Sequence, residues 1–133
     1  MPPLFSKLNL TDQGTIFVID PPASFNVALS SLTDVHIVDN LKSKKELVFA
    51  IIFVTQKSRI DQVAPLLAEK AEGDAVVWFA YPKGTSKNYR CDFNRDTGWD
   101  AFKAFGFDTV RQVAIDDDWS ALRFRRIEFI GSR

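Results

Sequence analysis

Leu47-Val48-Phe49-Ala50-Ile51-Ile52-Phe53-Val54 is a run of eight apolar residues with no polar alternation. A strand with one wet face would alternate apolar and polar side chains. An unbroken run is buried on both faces, as in a parallel sheet covered by helices. The flanking residues agree. On the C-terminal side, Ser58 can cap a helix, and Ile60, Val63, Ala64, Leu67, Ala68 and Ala71 mark one helical stripe. Pro65 interrupts it, so either the helix kinks there or a second helix starts in that turn. Gly73 then ends the helix, and Ala75 to Tyr81 reads as another buried strand stopped by Pro82. On the N-terminal side, Thr15 to Ile19 is a β-branched run halted by Asp20-Pro21-Pro22. With Ser24 as N-cap, Phe25, Ala28, Leu29 and Leu32 follow at helical spacing, and Val35 to Val38 suits a short strand. Leu4, Phe5, Leu8 and Leu10 form a lead-in turn or helix at the edge of the core.

Beyond Pro82 a polar loop runs from Lys83 to Asn94. Thr97 and Asp100 have capping-box spacing, and the helix after them carries Trp99, Phe102 and Phe105 and stops at Gly106. Val110 to Ile115 and Trp119 to Ile130 then read as two strands joined by a tight turn at Asp116-Asp117-Asp118. No crossover helix separates them, so they pair as an antiparallel hairpin. The expected fold is a single α/β domain over residues 1–133. It is a Rossmann-like three-layer sandwich, with a mostly parallel sheet of about six strands and right-handed crossovers. A parallel sheet ending in a hairpin is similar to the second half of class I methyltransferases. That resemblance implies strand order 2-1-3-4-6-5, with strand 6 antiparallel between 4 and 5.

Bulk composition narrows the class. The chain has 133 residues, of which 46% are hydrophobic and 26% charged, and twelve Phe supply most of its aromatic content. That is enough for one well-filled core. Seventeen basic residues balance seventeen acidic ones. A dedicated nucleic-acid binder normally carries a basic excess, so the balance counts against one while leaving room for a local basic patch. Cys91 is the single cysteine, which favours a reducing, cytoplasmic setting. No secretory leader is recognisable, and the longest apolar run is too short to span a bilayer.

The candidate functional stretch is the loop after the fourth strand. It gathers Lys83, Gly84, Thr85, Ser86, Lys87, Arg90 and Arg95, with Tyr89 among them. It lies between a strand and a helix, at the carboxyl end of the sheet, where open α/β folds bind ligands. Four cations, two hydroxyls and a flexible glycine suit an anion such as phosphate. The spacing is not that of a Walker loop. The opposing reading is a solvated loop whose cations pair with Asp92 and Asp96. Arg123, Arg125 and Arg126 lie on the last strand. Alternation puts Arg123 and Arg125 on one face and Arg126 with Glu128 on the other. They either form ion pairs with Asp92, Asp96 or Asp116 to Asp118, or send Arg123 or Arg125 to join Lys83 and Lys87.

Other motifs carry less. Asp20-Pro21-Pro22 resembles the Asp-Pro-Pro-aromatic motif of amino-methyltransferases, but Ala23 stands in the fourth position and Phe25 comes two residues later. None of the six glycines forms a GxG, so a close-approach cofactor loop has no source and no cofactor is expected. The Asp116 to Asp118 run lacks calcium-loop spacing and reads as a turn. His36 has no metal-ligand spacing to Cys91, so no metal is expected.

Three stretches carry a family resemblance: Val77-Trp78-Phe79-Ala80-Tyr81-Pro82-Lys83-Gly84-Thr85-Ser86, Asn94-Arg95-Asp96-Thr97-Gly98-Trp99, and Ala114-Ile115-Asp116-Asp117-Asp118-Trp119-Ser120-Ala121-Leu122-Arg123-Phe124. They resemble a family of small bacterial proteins classed as a domain of unknown function. The resemblance implies a bacterial cytosolic protein and supplies no substrate or catalytic residue. The leading expectation is a non-catalytic binding or interaction module, with an anionic small molecule at loop 83–95. The alternative is an enzyme acting on a nucleotide-like or phosphorylated small molecule, diverged from methyltransferases. A homodimer formed through an exposed sheet edge is a third expectation.

Overall fold

The run from Leu47 becomes β3 (Leu47–Phe53), and it lies inside the sheet as its composition requires. The structure is a computed structural model that describes residues 2–131. The chain begins with α1 (Pro3–Lys7), β1 (Thr15–Ile19), α2 (Ala23–Leu29) and β2 (His36–Val38). After β3 come α3 (Lys57–Lys70), β4 (Ala71–Pro82), α4 (Asp100–Lys103), β5 (Phe107–Ala114) and β6 (Trp119–Arg126), with a 3-10 turn at Ile127–Phe129. The six strands form one sheet in the order β2-β1-β3-β4-β6-β5. Pairs β1–β2, β1–β3 and β3–β4 are parallel, and β6 runs antiparallel to both β4 and β5. This is the Rossmann-like order that the resemblance to class I methyltransferases implied.

Both faces are dry over the central strands of the sheet, while β2 and β5 at its edges are largely exposed. On one, Phe17, Ile52, Val77, Phe79 and Phe124 pack with Ile60, Val63 and Leu67 of α3 and Phe102 of α4. On the other, Ile16, Val18, Ile51 and Trp78 pack with Phe5 of α1 and Phe25 and Leu29 of α2. Each fully buried side chain of this size contributes about 1.5–3 kcal/mol relative to exposure. The Trp78 indole NH donates to Leu8 O at 2.8 Å, which pins the N-terminal segment to the sheet.

Several local signals are overridden. Ser24 lies inside the first turn of α2 rather than capping it, and its hydroxyl donates to Asp116 Oδ2 at 3.2 Å. Ser58 is not the cap of α3 either, because the helix already starts at Lys57. Its first NH is instead taken by Asp92 Oδ1 at 2.7 Å, from a loop 35 residues away. The helix continues through Pro65 without a break. Gly73 does not end it. The chain turns extended at Ala71, and Gly73 adopts φ +52 where β4 bulges against β3. The Thr97–Asp100 capping box does not form. Trp99 takes the N-cap position of the one-turn α4, and Thr97 Oγ1 accepts from Asn94 NH. Phe105 is exposed. Strands β4 and β5 begin earlier than their apolar cores suggest, because pairing with neighbours extends them.

The arginines of β6 find partners other than those expected. Arg125 holds Asp74 with two bonds of 2.6 and 2.8 Å. Arg126 donates to Ala68 O and Ala71 O, capping the C-terminal end of α3, and stacks over Phe107 at 4.7 Å. The alternation breaks at Ile127, where the strand gives way to the 3-10 turn.

Candidate functional site

All parallel strands end at one edge of the sheet, and the loop from Lys83 to Trp99 lies over that edge beside the β5–β6 turn. The loop is held at fixed points. Lys83 NH donates to Asp118 O at 2.8 Å, and Ser86 Oγ donates to Asp118 Oδ1 at 2.8 Å. Asn88 Nδ2 donates to the same carboxylate, while Asn88 and Tyr89 NH groups donate to Ser86 Oγ. Further on, the Trp99 indole NH donates to Asn94 O and Arg95 O. Trp99 is itself buried among Phe79, Tyr81, Phe93 and Phe124, with ring centroids 5.1–5.8 Å away. Gly98 adopts φ +93, and a Cβ there would meet Phe93 Cβ at 2.9 Å, so only glycine fits this corner.

Between this loop and the sheet edge opens a cleft of about 1210 Å³. Lys83, Gly84, Thr85, Ser86, Lys87, Arg90 and Arg95 all line it. Its floor is a polar group: Gln112 Nε2 donates to Tyr81 OH at 3.1 Å and to Ser120 Oγ at 3.0 Å. Burial pushes the Tyr81 phenol above its ordinary range. Burial also pushes the Cys91 thiol up, the direction opposite to an activated nucleophile.

The acidic residues expected to neutralise the loop are largely engaged elsewhere. Asp92 caps α3, and Asp118 binds the loop's own Ser86 and Asn88. Only Arg95 pairs with a carboxylate, Asp96 at 3.4 Å on the open surface. Among the described residues Lys83, Lys87 and Arg90 make no ion pair. Ser86 belongs to the loop's scaffold, since its hydroxyl proton is committed to Asp118.

Arg123 does not join them. Its Nη1 donates to Asn9 Oδ1 at 3.2 Å on the α1 side of the sheet, opposite Trp78 of β4. Desolvation, and then the neighbouring Arg125, hold its guanidinium below the ordinary value. Alternation along β6 explains this placement: Ser120 faces the cleft, so Arg123 faces away. Tyr81, Gln112 and Ser120 were not singled out in the sequence. The hairpin topology was their only signal, since it returns β5 and β6 beside the end of β4.

A second hollow of about 360 Å³ lies at the carboxyl ends of β1 and β3, lined by Asp20, Pro22, Arg59, Tyr89 and Trp119 among others. Arg59 Nη2 contacts Asp20 Oδ2 at 3.3 Å, and Asp20 holds φ +55. The Trp119 indole NH is buried without a partner among the described residues. Asp116 Oδ1 accepts from Asp118 NH and Trp119 NH, so the Asp116 to Asp118 run is the hairpin turn expected. No three His, Cys, Asp or Glu side chains gather into a metal-binding group among the described residues. No described helix is long and apolar enough to cross a membrane.

No family model and no curated protein matches the chain. Solved structures do match, over most of its length. A SAM-dependent methyltransferase from Aquifex aeolicus aligns with a TM-score of 0.64 at 10% identity, covering 92% of this chain and 87% of that one. The ribosomal protein L11 methylase of Lactobacillus delbrueckii subsp. bulgaricus gives 0.57 at 11% identity, covering 92% and 77%. The N-methyltransferase NodS of Bradyrhizobium japonicum WM9 gives 0.53 at 13% identity, covering 92% of each chain. At this identity the likeness is one of fold: the chain has the architecture of class I methyltransferases.

Proposed function

We propose that this chain is a non-catalytic binding module and that the cleft under residues 83–95 takes a small anionic ligand, phosphate-bearing in the first instance. One observation supports it above the others: Lys83, Lys87 and Arg90 share a cleft in which the nearby carboxylates are committed elsewhere. Unpaired cations around a concave wall with a polar floor suit an anion, because each charge-assisted hydrogen bond is about twice as strong as a neutral one. The family resemblance of the loop and the lone Cys91 support a bacterial, cytoplasmic setting.

The fold favours a second reading, an enzyme diverged from methyltransferases, and it makes S-adenosylmethionine the cofactor to test for fit. The residues present do not fit it. The turn after β1 carries Asp20-Pro21-Pro22-Ala23 with no glycine, so it lacks the close backbone approach of a dinucleotide-type loop. Two prolines also remove two NH donors. The hollow beside it is small and crossed by the Asp20–Arg59 pair. We derive no chemical step through that cofactor.

A thermal-shift and calorimetric screen with phosphate, sugar phosphates, nucleotides and S-adenosylmethionine tests both readings. A ligand at 100 times its Kd stabilises by about 2.7 kcal/mol, a shift of several degrees at this size. The anion reading expects a phosphate compound to give that shift, and the triple change Lys83→Gln, Lys87→Gln, Arg90→Gln to abolish it. The unliganded melting point should stay put, since exposed substitutions cost within about 0.5 kcal/mol. A shift with S-adenosylmethionine that survives the triple change would replace this reading with the enzymatic one.

A further inference from the structure

The cleft does not stop at the loop. A shallower groove of about 430 Å³ runs along β5 and is lined by Lys103, Thr109 and Arg111. Arg95 and Gln112 line both hollows, so the two are contiguous around those side chains. The first meets β5 at Ala114 and Gln112, and the second continues from Gln112 to Thr109. At about 3.4 Å per residue, that stretch of strand is roughly 17 Å long.

The charges along this trough are segregated. Lys83, Lys87, Arg90, Arg95 and Lys103 line it, and among the described residues Asp96 is the one carboxylate in its wall. Arg111 stands opposite Arg123 in the β5–β6 register, so its side chain belongs to the other face. Asp108 stands beside it, 3.8 Å from Lys103. The whole chain has no net charge, so a cationic line on one face means a compensating acidic excess elsewhere. Such a line raises the local concentration of a multivalent anion more than that of a single one. The Arg95–Asp96 pair is long and solvent-exposed, so an incoming phosphate can compete with it at little cost, and Lys103 beside Asp108 is half-exposed.

We infer that the ligand of this cleft is an extended anion, a chain of phosphate groups that runs from Lys83, Lys87 and Arg90 past Arg95 to Lys103. The inference rests on the anion reading above and adds the length of the ligand to it. A single phosphate is far shorter than the trough and meets only one end of it. A chain of linked phosphates reaches both ends. Phosphoanhydride and phosphodiester chains share this chemistry. Tyr89, partly exposed on the loop, offers a ring face to a base in the second case alone.

Affinity as a function of chain length tests the inference. Orthophosphate, tripolyphosphate, long-chain inorganic polyphosphate and a fluorescein-labelled oligothymidylate are titrated against the whole chain by calorimetry and anisotropy. Affinity should rise at least tenfold from orthophosphate to the better of the two long chains. Arg95→Gln with Lys103→Gln should remove most of that gain. For the oligothymidylate it should also lower the slope of log K against log salt by about 1.4, at 0.7 per lost contact to a single strand. A circular-dichroism melt at the wild-type midpoint shows that the variant is folded. Tighter binding of oligothymidylate than of polyphosphate assigns a phosphodiester, and the reverse assigns a phosphoanhydride; both support an extended ligand. Equal affinity at every chain length, or a double variant that binds long chains as the wild type does, overturns the inference and leaves the anion site standing. Failure of every phosphate compound to bind overturns both.

Discussion

Two hollows open at the carboxyl end of one sheet, and the chain narrows one and leaves the other wide. The crevice between β1 and β3 is the switch point of the topology, since β1 leads to β2 on one side and pairs with β3 on the other. Open α/β folds place ligands there. In this chain Pro21 and Pro22 take away backbone donors, Asp20 engages Arg59, and Tyr89 packs over Trp119 at 4.9 Å. The cleft beside β4 is more than three times larger. There the acids go to the scaffold and the cations stay unpaired. Position in the fold therefore offers a site, and the partners available to each side chain decide whether it stays open. A carboxylate committed to a loop's backbone and hydroxyls organises that loop without neutralising it.

That contrast can be broken from the scaffold side. Trp99→Ala removes a buried ring from the centre of the aromatic cluster and should cost about 3–5 kcal/mol, read from urea unfolding. It also frees Asn94 O and Arg95 O. Anion affinity should fall with it, whereas a cleft that binds as before would show that the loop's order is irrelevant. Asp118→Ala comes next, at about 1–2 kcal/mol, because the loop loses the acceptor of Ser86 and Asn88. Its binding loss should exceed that of Asp118→Asn, which keeps one acceptor oxygen.

Arg59→Gln probes the narrower crevice. Its pair with Asp20 is exposed, so stability should change by about 0–1 kcal/mol, and phosphate binding should not change at all. A loss of binding in that variant would move the site to the switch point. The smallest effect is on pH. Tyr81 and Cys91 are both raised by burial, so the fold favours their neutral forms. The unfolded chain releases these protons at lower pH than the folded one. Their contribution is therefore complete below the ordinary phenol and thiol range and is lost as pH rises through the folded values. Urea midpoints should fall in alkali, and Tyr81→Phe with Cys91→Ala should flatten that fall.

Much of this was legible in the residues. The unbroken run Leu47 to Val54 implied a strand dry on both faces, and the short turn at Asp116 to Asp118 implied the hairpin. Together they gave a parallel sheet ending in a hairpin, and its resemblance to the second half of class I methyltransferases supplied the strand order. The loop from Lys83 to Arg95 was visible as a basic stretch after a strand, and those seven residues do share one cleft. Caps read less well. Ser24, Ser58 and Thr97 each had the right type and spacing, but a distant or neighbouring group took the role. Asp92 on the N-terminus of α3 is the plainest case. A cap is worth about 1 kcal/mol, less than the packing that sets where a helix starts, so tertiary contacts override it.

By itself, then, the sequence determined what depends on periodicity and short-range geometry: which segments are strands and helices, which are buried on both faces, and how they must connect. These follow because the hydrophobic pattern repeats with the backbone's own period and every repeat adds to the same preference. Tertiary structure alone decided how the charges pair. Arg125 finds Asp74 from 51 residues away, Arg123 turns to Asn9, and Asp92 and Asp118 are drawn into the loop's scaffold. A charge acts over a few ångströms of space and has no period along the chain. The unpaired cations that support the anion reading of the cleft could only appear once the partners of the nearby carboxylates were known.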